Sequence, residues 1–167
     1  YVFVLVGLFG STFVAHREAE AKSEYVRSII ENTAEGIITI DLAGHIETFN
    51  PAAENIFGYE AVEVVGKNVD ILLPESERAA HNKYVENSTL HAPRIINQSR
   101  DLEGMRRSGE RFPVELNVAR MFAGKTAQFV GIFRDITERV GSERALVTAK
   151  EDAEVAAKAK SEFLANM

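Results

Sequence analysis

The chain has 167 residues, a formal net charge of −6 and a pI of about 5.3. This acidic balance argues against the basic surface that electrostatic binding of nucleic acid requires. The chain contains no cysteine, which excludes disulfide bonds, thiolate metal sites and flavin–cysteine photochemistry. Its length and its hydrophobic content of 46% fit one domain of roughly 100–120 residues with flanking segments.

The first part of the chain predicts two helical segments. Residues 1–15 are apolar and uncharged. They are fewer than the ~20 residues that span a bilayer as a helix, so we expect the inner end of a transmembrane helix, with a buried segment of a soluble fold as the alternative. Residues 16–33 predict a linker helix that pairs with a second copy of the chain or packs on the next domain. Its apolar stripe consists of Tyr25, Val26, Ile29 and Ile30.

From Glu35 the pattern becomes that of alternating strands and helices. In chain order it predicts strands over 35–41 and 45–49, a helix over 51–57, short helical pieces near 61–64 and 69–72, a helix from Pro74 to about Leu90, strands near 95–106, 111–122 and 126–136, and a last helix from Glu138. Asn50 is the expected N-cap of the helix over 51–57, and Thr137 that of the last helix. Gly104 and Gly109 are expected in hairpins. This order predicts an α+β domain, a five-stranded antiparallel sheet with helices on one face.

Three runs in this part resemble the PAS domain family of sensory modules. They are NPAAENIFGY (50–59), RRSGERFPVELNV (106–118) and GIFRDITER (131–139). The resemblance assigns residues 34–137 to a PAS domain. It also implies that Asp135, Ile136 and Thr137 form the junction that relays conformational change to the output helix. The alternative is that their short polar side chains only cap that helix.

Residues 138–167 predict an output helix that forms a coiled coil. Its seam advances in alternating steps of three and four, as a heptad repeat does. The seam consists of Leu146, Ala149, Ala153, Ala156, Lys160, Phe163 and Met167. Because alanines make it thin, we expect a weak parallel homodimer with registers close in energy. A single helix that packs on its own domain is the alternative.

The last nine residues, AKSEFLANM, resemble the entry to the dimerisation and phosphotransfer helix of sensor histidine kinases. The resemblance implies a homodimeric bacterial kinase, anchored in the inner membrane with a cytoplasmic PAS domain, whose partners are a kinase core and a response regulator. The phosphorylated histidine and the ATP-binding domain are absent from this sequence, so we predict no catalytic residue in it. A PAS domain joined to another output, such as a cyclase or a chemoreceptor, is the alternative.

His81 is the candidate ligand of a cofactor. In the haem-binding, oxygen-sensing PAS domains of rhizobia a helix of this type carries the proximal histidine, and an arginine in the following run contacts oxygen. This resemblance implies that His81 is the haem ligand, a metal ligand only if haem is bound, and that Arg100 is the distal arginine. The implied apolar pocket walls are Ile95, Leu116 and Val118. The oxygen sensors have glycine and isoleucine where residues 97–99 read Asn-Gln-Ser, so a structural histidine, another cofactor or none, and a ligand-free dimerisation spacer stay open.

Overall fold

The computed structural model describes residues 20–90, 99–123 and 126–167. Its elements in chain order are α1 (20–32), β1 (Gly36–Ile40), β2 (Ile46–Phe49), α2 (Pro51–Phe57), α3 (Ala61–Val64), a 3₁₀ helix (Val69–Leu72), α4 (Glu75–Leu90), β3 (Arg100–Met105), β4 (Arg111–Ala123), β5 (Thr126–Asp135) and α5 (Thr137–Ala165). The predicted membrane segment, residues 1–15, lies outside the described residues, and so does Ile95.

The five strands form one antiparallel sheet in the order β2-β1-β5-β4-β3, which confirms the predicted fold class. Because β4 and β5 pair without a register shift, alternate residues of β4 lie on the same face. Phe112 and Val114 are buried in the core, and they define what we call the core face of the sheet. Leu116, Val118 and Arg120 lie on this face too.

The core lies between this face and α2, α3 and the 3₁₀ helix. At its centre the ring of Phe57, in α2, packs edge to face on Phe112 and Phe133, with centroid distances of 5.6 Å and 5.4 Å. Such aromatic pairs contribute about 1 kcal/mol each beyond their burial. Helix α2 is therefore packed directly on β4 and β5, the strands that lead to α5.

Two details differ from the sequence predictions. The prediction that Thr137 caps the last helix is wrong, because Thr137 is the first residue of α5 and Ile136 occupies the N-cap position. The acceptor for the Thr137 amide is instead the side chain of Asp135, at 2.9 Å. Gly104 lies inside β3, in one strand of the β3–β4 hairpin and not at its turn. A Cβ at this position would lie 3.0 Å from the ring of Phe112, so the close packing of that ring explains the glycine.

The predicted interface positions of the two flanking helices are largely exposed in a single chain. Ile30 is partly buried, and the others are exposed: Tyr25, Val26, Ile29, Leu146, Ala149, Ala153, Ala156 and Phe163. Exposed apolar side chains at heptad spacing suit pairing with a second copy, and this pairing stays a prediction. Among the residues that the structure describes, no helix has an apolar stretch long enough to cross a membrane.

Candidate functional site

The carboxylate of Asp135 joins the end of β5 to the start of α5. Its Oδ1 accepts hydrogen bonds from the amide of Thr137 at 2.9 Å and from the Thr137 hydroxyl at 2.6 Å. Its Oδ2 accepts a hydrogen bond from Nη2 of Arg106 at 2.6 Å. Partial burial favours the protonated acid, but the hydrogen bonds from Thr137 and Arg106 outweigh it and hold the pKa of Asp135 below its ordinary value. The carboxylate is therefore charged at neutral pH.

Ile136 anchors this junction in the sheet. Its side chain is buried, with 3% of its surface exposed. Its amide donates a hydrogen bond to the carbonyl of Pro113 in β4 at 3.2 Å, and its carbonyl accepts one from the amide of Val140 at 2.9 Å. The three residues predicted as a relay, Asp135, Ile136 and Thr137, are thus fixed to β4 on one side and to the first turn of α5 on the other.

Arg106 connects the same junction to α2. Its Nη1 donates to the carbonyl of Ile56, and its Nη2 donates to Asp135. Its Nε lies 3.4 Å from Oε2 of Glu110, and the guanidinium carbon lies 3.8 Å from the centroid of the Phe112 ring, in cation–π geometry. One side chain therefore contacts α2, the β3–β4 hairpin and the end of β5. We name Arg106, Asp135, Ile136 and Thr137 the exit joint.

Asn50 forms a comparable joint where α1 enters the domain, which we name the entry joint. Its side chain caps α2, as predicted, by accepting a hydrogen bond from the amide of Ala53 at 2.9 Å. The same oxygen accepts one from the amide of Ile37 at 2.8 Å, and the side-chain nitrogen donates to the carbonyls of Ile30 and Glu35 at 2.9 Å and 3.0 Å. All four hydrogen-bonding positions of the amide are filled. Asn50 thereby ties α1, β1 and α2 together.

Sequence reasoning missed the role of Arg106 and the wider role of Asn50. Arg106 opens the run quoted for the PAS hairpin, but 29 positions separate it from Asp135. Asn50 is recognisable as a helix cap because its cap partner is three residues away. Its bond to the carbonyl of Ile30 spans 20 positions. A basic residue before the hairpin and an Asn-Pro pair were the available signals, and neither identifies a distant partner.

The described residues among those predicted to hold haem lie on three elements, α4, β3 and β4. Arg100 is the exposed first residue of β3 and lies opposite Leu116 in β4. Val118 follows two positions later on the same core face, while His81 lies on α4. The structure therefore brings Arg100 next to Leu116.

His81 is partly buried and carries an unpaired nitrogen. Its Nδ1 is buried and makes no hydrogen bond within the described part of the chain. Burial lowers the pKa of His81, and the carboxylate of Asp70 opposes this shift without reversing it. The imidazole is therefore neutral at pH 7, the form that binds a metal. In these two respects His81 fits a haem ligand. Residues 20–90, 99–123 and 126–167 contain no group of three or more His, Asp or Glu side chains that could hold a metal ion.

Comparison with known proteins agrees with this architecture. The model of the PAS domain family matches residues 34–138. Sensor protein FixL of Bradyrhizobium diazoefficiens is 38% identical over 118 residues, which are 70% of this chain and 23% of that protein. The cell-division control histidine kinase PdhS of Brucella ovis is 32% identical over 149 residues, 89% of this chain and 14% of that protein. The chain thus spans less than a quarter of the length of these relatives.

Solved structures show the same fold. The PAS domain of an HTR-like protein from Haloarcula marismortui superposes with a TM-score of 0.58 at 24% identity, covering 73% of this chain and 98% of that one. The PAS domain of BvgS from Bordetella pertussis gives a TM-score of 0.56 at 22% identity, over 79% of this chain and 98% of that one. The family model covers more than half of the sequence, and the sheet order, the helices and these neighbours agree with it. The chain belongs to the PAS domain family.

Proposed function

We propose that the chain is the sensory and signal-relay module of a two-component sensor histidine kinase and that it acts as a homodimer. The relatives named as a sensor protein and as a histidine kinase support this assignment. In the whole protein, residues 1–15 would anchor the module in the inner membrane, with the PAS domain in the cytoplasm. Helix α5 would lead to a kinase core that passes phosphate to a response regulator, and the module itself would perform no phosphotransfer.

The bridge made by Arg106 carries the proposal. Because Phe57 packs on β4 and β5, a change in the domain interior displaces α2 relative to the sheet. The carbonyl of Ile56 moves with α2, and it shares the guanidinium of Arg106 with Asp135. Asp135 also holds the first amide of α5, so a shift of Arg106 changes the direction in which α5 leaves the sheet.

The seam of α5 is weak enough for a small displacement at the exit joint to change how the two helices pair. The alanines Ala149, Ala153 and Ala156 bury little apolar area in a coiled coil. Since each Å² of buried apolar surface stabilises by about 25 cal/mol, this part of the seam contributes little free energy. Registers or rotations of the paired helices therefore differ little in free energy. A bias of about 1–3 kcal/mol, the usual size of a coupling free energy, is enough to change which arrangement predominates.

The relay is tested by distances between the two α5 helices of a dimer. Since the chain has no cysteine, a spin label on Glu151→Cys, an exposed position of α5 outside the seam, reports one distance per dimer, measured by pulsed electron resonance. We expect Arg106→Met to shift or broaden this distance. The matched control is Arg107→Met, because Arg107 pairs with Glu63 at 2.8 Å in α3 and has no bond to the exit joint.

Two results contradict the proposal. An unchanged distance in Arg106→Met, or an equal change in Arg107→Met, would show that Arg106 does not govern α5. A monomer in sedimentation, with no distance between labels, would rule out the homodimer.

The unpaired nitrogen of His81 favours a second candidate function, a haem-binding gas sensor. His81 would hold the iron, Leu116 and Val118 would form apolar walls, and Arg100 would serve the gas side. Haem would supply reversible gas binding. The purified chain mixed with haem should then show a Soret band that His81→Ala abolishes, and the absence of this band in the wild type rules the function out.

A further inference from the structure

Arg120 lies on the core face of β4 in apolar surroundings. Val118 precedes it and Phe122 follows it on this face, and Phe129 of β5 lies directly opposite. Phe129 is buried, and the guanidinium carbon of Arg120 lies 5.5 Å from the centroid of the Phe122 ring. Arg120 itself is partly buried. A permanently charged group therefore sits at the edge of the core among apolar side chains.

The Nε–H of Arg120 lacks an acceptor in the described part of the chain. The nitrogen is buried and makes no hydrogen bond to any described residue. Many other described arginines instead lie beside a carboxylate: Arg27, Arg106, Arg107, Arg111, Arg134 and Arg139. A buried charged donor without a partner destabilises a fold, and arginine cannot relieve this by losing its proton. This buried donor thus lacks, among the described residues, the acceptor that a bound anion would supply.

We propose that this part of the core face binds a small organic monocarboxylate with an apolar body, and that its carboxylate pairs with Arg120. The Nε–H and an Nη–H of a guanidinium lie side by side and match the two oxygens of a carboxylate. One negative charge balances one cation, whereas a phosphate dianion would bring an unbalanced charge against apolar side chains. Val118, Phe122 and Phe129 offer contacts to the apolar body.

The binding site is separate from the exit joint. It rests on the proposed function only in that its ligand would be the signal to which the relay responds. Arg120 lies in β4, and this strand also holds Pro113, whose carbonyl anchors the exit joint. A ligand on Arg120 would act on the strand that carries this anchor. Binding itself requires only the charge of Arg120 and the two parallel N–H donors of its guanidinium. The affinity can therefore be measured independently of any change in α5.

The test is a titration of the chain at constant ionic strength, followed by calorimetry and by thermal unfolding. The probes are isovalerate, phenylacetate and acetate, each compared with its amide. We expect isovalerate or phenylacetate to bind and to raise the Tm, and the amides and acetate to have little effect. In Arg120→Met the Kd for the carboxylate should rise about 10- to 100-fold, the range of one lost charged hydrogen bond, while the Tm without ligand stays equal or rises.

Two further variants complete the test. Arg120→Lys keeps the positive charge and loses the two parallel N–H donors of the guanidinium. Its Kd for the carboxylate should therefore lie between those of wild type and Arg120→Met. Arg111→Met is the matched control, because Arg111 lies in the same strand, is exposed and pairs with Glu103 at 3.3 Å. It should bind as the wild type does. If Arg120→Met does not fold, the comparison of Arg120→Lys with Arg111→Met decides.

Three results would overturn the proposal. The first is that no carboxylate binds the wild type better than its amide, and the second is an equal response of wild type and the Arg120 variants. The third is a Soret band in the chain as purified, which would identify haem as the occupant. Binding that leaves the α5 distance unchanged supports the site and contradicts the relay, so the two proposals fail separately.

Discussion

The entry joint and the exit joint hold flanking helices to the same domain by different chemistry. At the entry joint, one neutral amide with 6% of its surface exposed makes four hydrogen bonds. At the exit joint, an ion pair joins Arg106 and Asp135, whose side chains are 21% and 29% exposed. A buried neutral amide is insensitive to pH and salt, whereas a partly exposed ion pair responds to both. The entry joint is therefore the fixed one and the exit joint the adjustable one.

This difference matches what the input helix α1 and the output helix α5 would do in a relay. An input helix that is rigidly joined to the sheet imposes its position on the whole domain. An output helix must instead take more than one orientation with little difference in free energy. The partners of Arg106 belong to different elements, α2 and the end of β5, so in the proposed relay the balance between them would depend on the state of the core.

The largest effect should come from Asn50→Ala. The substitution removes the cap of α2 and leaves the amide of Ile37 and the carbonyls of Ile30 and Glu35 without a partner, so we expect a loss of about 3 kcal/mol in the free energy of unfolding. Asn68→Ala is the matched control. It removes a hydrogen bond from the amide of Asp70 at 3.0 Å and a long one to the carbonyl of Ala43 at 3.5 Å, and should cost about 1 kcal/mol. Equal losses in urea unfolding would contradict the distinct role of Asn50.

A smaller effect is expected at the exit joint. In a double-mutant cycle with Arg106→Met and Asp135→Asn, the coupling free energy should be about 1–2 kcal/mol, because the pair is only partly exposed and hydrogen-bonded. Asp135→Asn retains an oxygen that can accept from Thr137, so it removes the charge more than the cap. The control cycle uses Arg107 and Glu63, with exposures of 56% and 31%, and should give about 0.5 kcal/mol. If the coupling free energy of Arg106 and Asp135 were no larger than that of Arg107 and Glu63, the exit joint would be no stronger than an ordinary surface ion pair.

Acid should separate the two joints directly. Asp135 has a pKa below its ordinary value of 3.8 in the folded chain, so it stabilises the fold above that value, and this contribution is lost as the pH falls through the folded pKa. In proton–nitrogen NMR spectra recorded from pH 7 downwards, the Thr137 amide should therefore titrate with a midpoint below pH 3.8. The amide of Ile37, bonded to neutral Asn50, should not follow it. Two results would contradict the difference between the joints. One is that the amides of Thr137 and Ile37 titrate together, and the other is that the Thr137 amide does not titrate at all while the chain stays folded.

The same two joints show what the sequence could predict. The cap of α2 was predictable because Asn50, Pro51 and Gly58 act on residues a few positions away. The pairing of Asp135 with Thr137 spans two positions, and the polar spacing indicated the joint, though not which residue is the cap. Arg106 and the wider bonds of Asn50 depend on which strands become neighbours, and no local pattern contains that information.

The proposed ligand position depended on register in the same way. The sequence places Arg120 in a strand, but only the pairing of β4 with β5 puts it opposite Phe129 on the core face. A charged residue in an alternating strand is normally expected on the solvent side. The haem resemblance drew attention to His81 and Arg100 instead, and of these the structure shows Arg100 exposed and His81 partly buried.

The smallest effect should come from the second contact between α5 and the sheet. Arg139 pairs with Asp101 at 2.8 Å, and both side chains are about half exposed, at 48% and 59%. Such a pair contributes at most about 0.5 kcal/mol and weakens with salt. Arg139→Gln should therefore leave the label distance at position 151 unchanged, as should the control Arg144→Gln, which removes a charge from the same helix. If Arg139→Gln moved the label as far as Arg106→Met, surface charge rather than the exit joint would set the direction of α5, because only a surface pair would have been broken.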